Sequence, residues 1–287
     1  MDSRIRNSLV LLRFPFSFFL LPTFFFAWSQ VSAVNTPRLI LVFIILHLLV
    51  YPASNGYNSY MDRDEGSIGG IEHPPPPDLH LFYISLGMDM LAVILALMIN
   101  RYLLGALLIY IICSRAYSYR GIRLKKYPIL GFLTVFLVQG AVTFYMIFKG
   151  INANTEEQPP IYCMLISSLL LGALYPLTQV YQHQQDKADG VTSISYLLGY
   201  RGTFVFSAVL FILANIFLYL YFTGQEQIRS FFVITVALLP AVAYFLYWMY
   251  KVFRDTGQAN FRNSLRMNVI ASVCTNIGFM LLTILKY

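Results

Sequence analysis

Nine stretches of this sequence are apolar for long enough to cross a hydrocarbon core of about 30 Å, so the chain must bury them in a bilayer as helices. They run over about 9–29, 38–59, 79–100, 101–117, 127–149, 160–183, 201–223, 229–250 and 265–285. Composition agrees, since 58% hydrophobic and 11% charged residues leave too little polar surface to coat a soluble globule of 287 residues. The first stretch has features of a secretory leader, with Arg4 and Arg6 before it and "WSQVSA" at its end. Its length, Pro15 and Pro22, and the span that follows at once favour a membrane helix. Cys113, Cys163 and Cys274 all fall within expected spans and read as buried hydrophobes.

Basic residues orient the spans. With nine crossings, fifteen of the 20 Lys and Arg fall on the side of the amino terminus, and only Arg38, Arg101, Lys149, Arg229 and Lys286 fall on the other. The positive-inside tendency makes the richer side cytoplasmic, which suits a plasma or inner membrane. The net charge of +7 is thereby absorbed as a topology signal, with no nucleic-acid groove implied.

One polar phrase occurs twice. "YPASNGYNSYMDRDEG" at 51–66 aligns without a gap on "YPLTQVYQHQQDKADG" at 175–190, with five identities in 16 positions. The offset predicts a duplicated four-span unit, 9–117 and 127–250, with 265–285 left over. Each copy ends an even-numbered span on the cytoplasmic side. Helical spacing puts Tyr51, Asn55, Asn58 and Asp62 on one face, and Tyr175, Gln179, Gln182 and Asp186 on its counterpart. Pro52 and Pro176 each remove a backbone donor and predict a kink beneath the polar stripe. Two such stripes turned together would present hard oxygen ligands suited to Mg2+. Helix ends bonded to their own loops are the plainer alternative.

These features resemble the UbiA superfamily of intramembrane prenyltransferases: an amide four residues before an Asp on the second span, an Asp-centred motif ending the sixth, and four plus four plus one spans. "LLRFPFSFFLLP", "GVTSISYLLG" and "YSYRGIRLKK" resemble the segments that accompany those motifs in the family. The resemblance implies an all-α integral membrane protein of about nine transmembrane helices, and Mg2+-dependent transfer of a prenyl group from a polyprenyl diphosphate to a lipophilic acceptor, aromatic or quinone-like. It places the metal-binding motifs on Asn58, Asp62 and Glu65 and on Gln182, Asp186 and Asp189, with Asp62 and Asp186 as the catalytic pair. Diphosphate contacts are expected from Asn55, Arg13, Arg63, Arg115, Arg123, Lys125 and Lys187. Tyr51, Tyr57, Tyr175 and Tyr181 are expected to face the prenyl cation. Gln182 stands where the family usually has Asp, which lowers the fixed negative charge of the site.

Two other functions compete: an isoprenoid binder of the same fold without turnover, and a transporter, since duplicated units with broken helices also describe carriers. Against the transporter, the charged groups gather at one membrane face. Asp89, midway along the third span, is an ionisable group at hydrocarbon depth and is expected either to contact an acceptor or to bond a neighbouring helix. "HPPPP" at 73–77 reads as an extended spacer, and His47, His73, His80 and His183 lack the spacing of a zinc site.

Overall fold

The computed structural model describes residues 3–285; Lys286, counted above on the outer side, lies outside them. Ten helical segments follow one another: α1 Ser3–Leu11, α2 Leu21–Gln30, α3 Thr36–Asp62, α4 Leu79–Leu97, α5 Arg101–Ser118, α6 Pro128–Ile151, α7 Ile161–Ala188, α8 Ile194–Gly224, α9 Ile228–Arg254 and α10 Phe261–Leu285. Among the described residues the only β-type pairings are the isolated bridges Val34 with Asn152 and Ile68 with Ile71.

Seven of these helices, α3, α4 and α6 to α10, are long and apolar enough to cross a membrane. An eighth arises if Arg4–Phe19 and Leu21–Gln30, bent by 43°, count as one span. The expected count of nine is therefore not reached. The difference lies in α5, whose 18 residues include Arg101 and Arg115 and so fall short in hydropathy. The bend in the first span follows from Arg13, held in the left-handed region at φ 50°, and from prolines at the starts of Phe14–Phe19 and Leu21–Gln30. α2 is part of the core, where Phe26 stacks on Phe279 at 4.4 Å.

The bundle is closed at one end and open at the other. At the closed end the ends of α2 and α6 and the start of α3 pack Phe26, Val31, Val42, Phe144, Phe148 and Ile151 into a solid core. Lys149 is fully buried there, but its ammonium donates to Thr155 O at 2.8 Å and Glu157 O at 2.6 Å and lies 4.8 Å from the Tyr102 ring centroid. Those contacts supply the partners that a buried cation requires.

Both copies of the repeated phrase meet their proline, and each accommodates it differently. Before Pro52 the helix widens into a π segment, Ile44–Val50, and Tyr51–Asp62 continues as regular α-helix. At Pro176 the chain tightens into two 3-10 turns, Tyr175–Thr178 and Val180–Gln182, before His183–Ala188 resumes. One sequence pattern thus yields two helix endings.

A second π segment, Phe136–Val142, lets α6 approach α7 closely. Ser168 Oγ accepts the Ala141 N–H at 2.9 Å, and a Cβ placed on Gly140 would lie 2.8 Å from Ser168 N. Small residues at such crossings let membrane helices touch through their backbones. Gly140→Ala should therefore destabilise the fold by about 1–3 kcal/mol through overpacking. The check is a lower apparent melting temperature in detergent.

Candidate functional site

At the open end, α3 delivers Ser54, Asn55, Asn58, Ser59 and Asp62 as one stripe at three- and four-residue spacing. Opposite, α7 delivers Tyr175, Thr178, Gln179, Tyr181, Gln182, Gln185 and Asp186. The loop between α5 and α6 adds Lys125, α5 adds Tyr110, Ser114 and Tyr117, and the bent first span adds Arg13, Phe16 and Phe19. They line one cavity of about 260 Å³, with Asp62 and Asp186 both in its wall. Farther from the open end the wall turns apolar, through Val135, Val138, Leu171 and Leu174.

Charges of both signs meet in it. Lys125 Nζ lies 2.7 Å from Asp62 Oδ1. Arg13 donates to Asn55 O and Gly69 O, each at 3.4 Å, which holds its guanidinium against the α3 stripe. Gln185 Nε2 donates to Asp64 Oδ1 at 2.7 Å, and Gln182 Nε2 to Ser67 O at 3.4 Å. The two copies are thus tied directly to each other. Tyr117 and Tyr175 hydrogen-bond through their hydroxyls, and Gln179 Nε2 donates to Tyr175 Oη at 2.8 Å.

Asp64 and Gln185 are site residues that helical spacing could not find, because Asp64 lies beyond the helix. Arg63, in the left-handed region at φ 54°, ends α3 and reverses the chain. That reversal carries Asp64 into the cavity wall and leaves Arg63 and Glu65 exposed, outside it. Burial first, and the Asp62 carboxylate second, hold the Asp64 carboxyl above the ordinary carboxylate range, against Lys125 and Arg13. A raised folded-state value costs stability as pH rises through it, because the unfolded chain gives up the proton sooner. Asp64→Asn should therefore raise the melting temperature at neutral pH and change nothing below the ordinary carboxylate range. A melting series across pH checks it.

The other expected residues divide by position. Asn55, Asn58, Asp62, Gln182, Asp186, Arg13, Lys125, Tyr175 and Tyr181 line the cavity. Lys187 is exposed beyond it, and Asp189 pairs with Arg123 to strap the α5–α6 loop to the end of α7. Tyr51 is buried in the core beside Tyr110, ring centroids 5.9 Å apart, and does not reach the cavity. Tyr57 and Arg115 face a different cavity with Asp89, whose carboxylate Arg115 pairs. His183 turns away from the site to Ser195 Oγ at 2.8 Å.

Among the described residues, no three His, Cys, Asp or Glu side chains form a group that could hold a metal ion. The donors present are carboxylates mixed with neutral carbonyls, and Asn58 Oδ1 and Gln179 Oε1 are buried without a hydrogen-bonding partner within the protein. Such a sparse, all-oxygen set fits Mg2+, which keeps few protein ligands and completes its shell from phosphate and water. It suits zinc less well, because zinc sites are built mainly on nitrogen and sulfur ligands.

The helices long and apolar enough to cross a membrane thus form a bundle with an acidic and basic cavity at one end and an apolar continuation. Residues 19–270 match the UbiA prenyltransferase family, and the chain belongs to that family. A UbiA homologue from Archaeoglobus fulgidus bound to DMAPP and Mg2+ superposes with TM-score 0.73 at 19% identity, over 97% of this chain and 99% of that one. The apo UbiA homologue from Aeropyrum pernix K1 gives 0.72 at 17%, over 94% and 98%. A structure of digeranylgeranylglyceryl phosphate synthase gives 0.63 at 18%, over 98% of each chain. At these identities the likeness is one of fold. No curated protein matches the chain.

Proposed function

We propose that this protein is a Mg2+-dependent prenyltransferase that moves a prenyl group from a polyprenyl diphosphate to a lipophilic acceptor, aromatic or quinone-like. The observation that carries the reading is the meeting of the α3 and α7 stripes in one cavity, with Asp62 and Asp186 in its wall and an apolar extension into the bundle. Support comes from the Archaeoglobus homologues, bound to DMAPP and Mg2+ or to GPP and Mg2+.

In this reading Asp62 and Asp186, with the carbonyl oxygens of Asn58 and Gln182, would hold Mg2+. When bound, the ion neutralises charge on the departing diphosphate. Lys125 and Arg13 contact diphosphate oxygens from the same cavity. The bond from the allylic carbon to the diphosphate oxygen breaks with its electron pair on oxygen, and the acceptor's nucleophilic atom bonds to that carbon. The acceptor's proton leaves on the diphosphate. The rings of Tyr117, Tyr175 and Tyr181 contribute about 0.5–2 kcal/mol each toward the transient allylic cation.

The test is pyrophosphate release by purified protein in nanodiscs given Mg2+ and a labelled prenyl diphosphate with a panel of phenolic and quinol acceptors. Release that chelation of Mg2+ abolishes supports transfer; tight donor binding with no release across the panel would establish a binder instead. The cytoplasmic placement of the site rests on the basic residues at the open end. Lys187→Cys should react with an impermeant thiol reagent in inverted vesicles and not in intact cells.

A further inference from the structure

A second cavity, of about 500 Å³, lies on the other flank of α3 and α5, which also contribute to the first, and has α4 as its main wall. Where Tyr110 and Ser114 of α5 face the diphosphate cavity, their neighbours Ile111 and Arg115 face this one; α3 contributes Tyr57 and α4 the remaining wall. Leu86, Met90, Ile94 and Leu108 line it and are exposed on the outer surface of the bundle. It therefore opens sideways between α4 and α5, toward acyl chains, and a molecule dissolved in the bilayer can enter it.

Its floor is charged. Asp89, in the middle of α4, pairs with Arg115, whose guanidinium also donates to Ala53 O at 3.3 Å and lies 4.1 Å from the centroid of the Tyr57 ring. Arg115 is thus engaged on three sides. Asp89 is not: among the described residues its carboxylate accepts only from Arg115, through Oδ2, which leaves Oδ1 with acceptor capacity. An ion pair at this depth is costly, and an apolar pair would pack as well, so an occupant that uses the free oxygen is the economical explanation.

The same charges select the occupant. An anionic head would meet Asp89 and a cationic one Arg115, whereas a neutral hydroxyl can donate to Oδ1 and keep its hydrocarbon against Phe82, Met90, Val93 and Ile94.

We infer that the α4–α5 cavity binds a neutral lipophilic alcohol or phenol through Asp89. On the prenyl-transfer reading, on which this part rests, such a molecule is of the acceptor class. It would wait one wall away from the donor, behind the Ser54–Ser114 contact at 2.6 Å.

The probe is a diazirine-bearing 4-dodecylphenol, photolabelled into the protein in nanodiscs and mapped by peptide mass spectrometry. Label is expected in residues 82–94 and 108–115, competed by 4-dodecylphenol and at least tenfold less well by dodecylbenzene. Val93→Trp, which fills the cavity, should cut labelling at least tenfold, and Asp89→Asn should narrow the preference for the phenol. Equal competition by dodecylbenzene, or full labelling in a Val93→Trp protein that still binds geranyl diphosphate, overturns the inference. Should Val93→Trp not fold, the wild-type competition decides alone. Labelling as expected in a protein that neither binds nor cleaves prenyl diphosphate would instead sink the transfer reading and leave this site standing.

Discussion

Asp62→Ala and Asp186→Ala should each lower pyrophosphate release by at least about 10²- to 10³-fold, the scale seen when one preorganised electrostatic group is removed from a site where charge develops. The two carboxylates come from different copies of the repeated phrase and line one cavity, so either loss leaves the departing diphosphate held from one side. Asp62→Ala has a second effect, because Lys125 loses the partner 2.7 Å away and becomes free to pair with a diphosphate directly. Donor binding should then fall less than turnover. Groups that act as one unit are not additive, so the double variant should be scarcely worse than the worse single one. Wild-type rates in both single variants would remove the cavity from the chemistry. The measurement is steady-state pyrophosphate release with donor affinity determined separately.

Pro176→Ala should lower activity by about 100-fold while leaving thermal stability unchanged or higher. The 3-10 turns Tyr175–Thr178 and Val180–Gln182 comprise four and three residues. Each residue in them turns the chain by about 120° where an α-helical residue turns about 100°, and rises about 2.0 Å instead of about 1.5 Å. Over those seven residues the difference accumulates to roughly 140° and 3.5 Å, enough to decide which way Asp186 faces. Alanine restores the donor and removes the ring clash, which together cost a helix interior about 3 kcal/mol. The segment can then rewind as α-helix and carry Asp186 and Gln182 out of register with Asp62. A misplacement of about 1 Å already costs as much as 10²-fold where positioning governs the rate. Full activity in Pro176→Ala would mean that the surrounding helices, and not the proline, impose the 3-10 winding. Pyrophosphate release and a melting curve on the same sample separate the two outcomes.

Much of this is legible in the sequence. The apolar runs gave the helices, because backbone groups in hydrocarbon must bond within their own segment. Helical spacing gave the α3 stripe, Asn55, Asn58 and Asp62, because Tyr51–Asp62 is a regular helix and Cβ directions follow its period. The same rule failed for Tyr51, and the expectation that Tyr57 faces the prenyl cation failed as well, because both meet neighbouring helices that no local pattern describes. Tyr51 packs on Tyr110, and Tyr57 lies under Arg115. Asp89 was legible as an anomaly but not by its partner, since Arg115 lies 26 residues away on the next helix.

Sequence alone determined that this chain is a helical membrane protein, which end of it is polar, and which two phrases correspond, since each of these depends on residue chemistry and short-range period. Tertiary structure decided that Asp64 and Gln185 meet, that Arg123 is taken up by Asp189, and that Arg115 and Asp89 belong to a second cavity. The first two outcomes turn on backbone rotations at Arg63 and across Pro176 to Gln182, and the third on how α4 packs against α5. Only the packing of whole helices fixes where such a rotation stops.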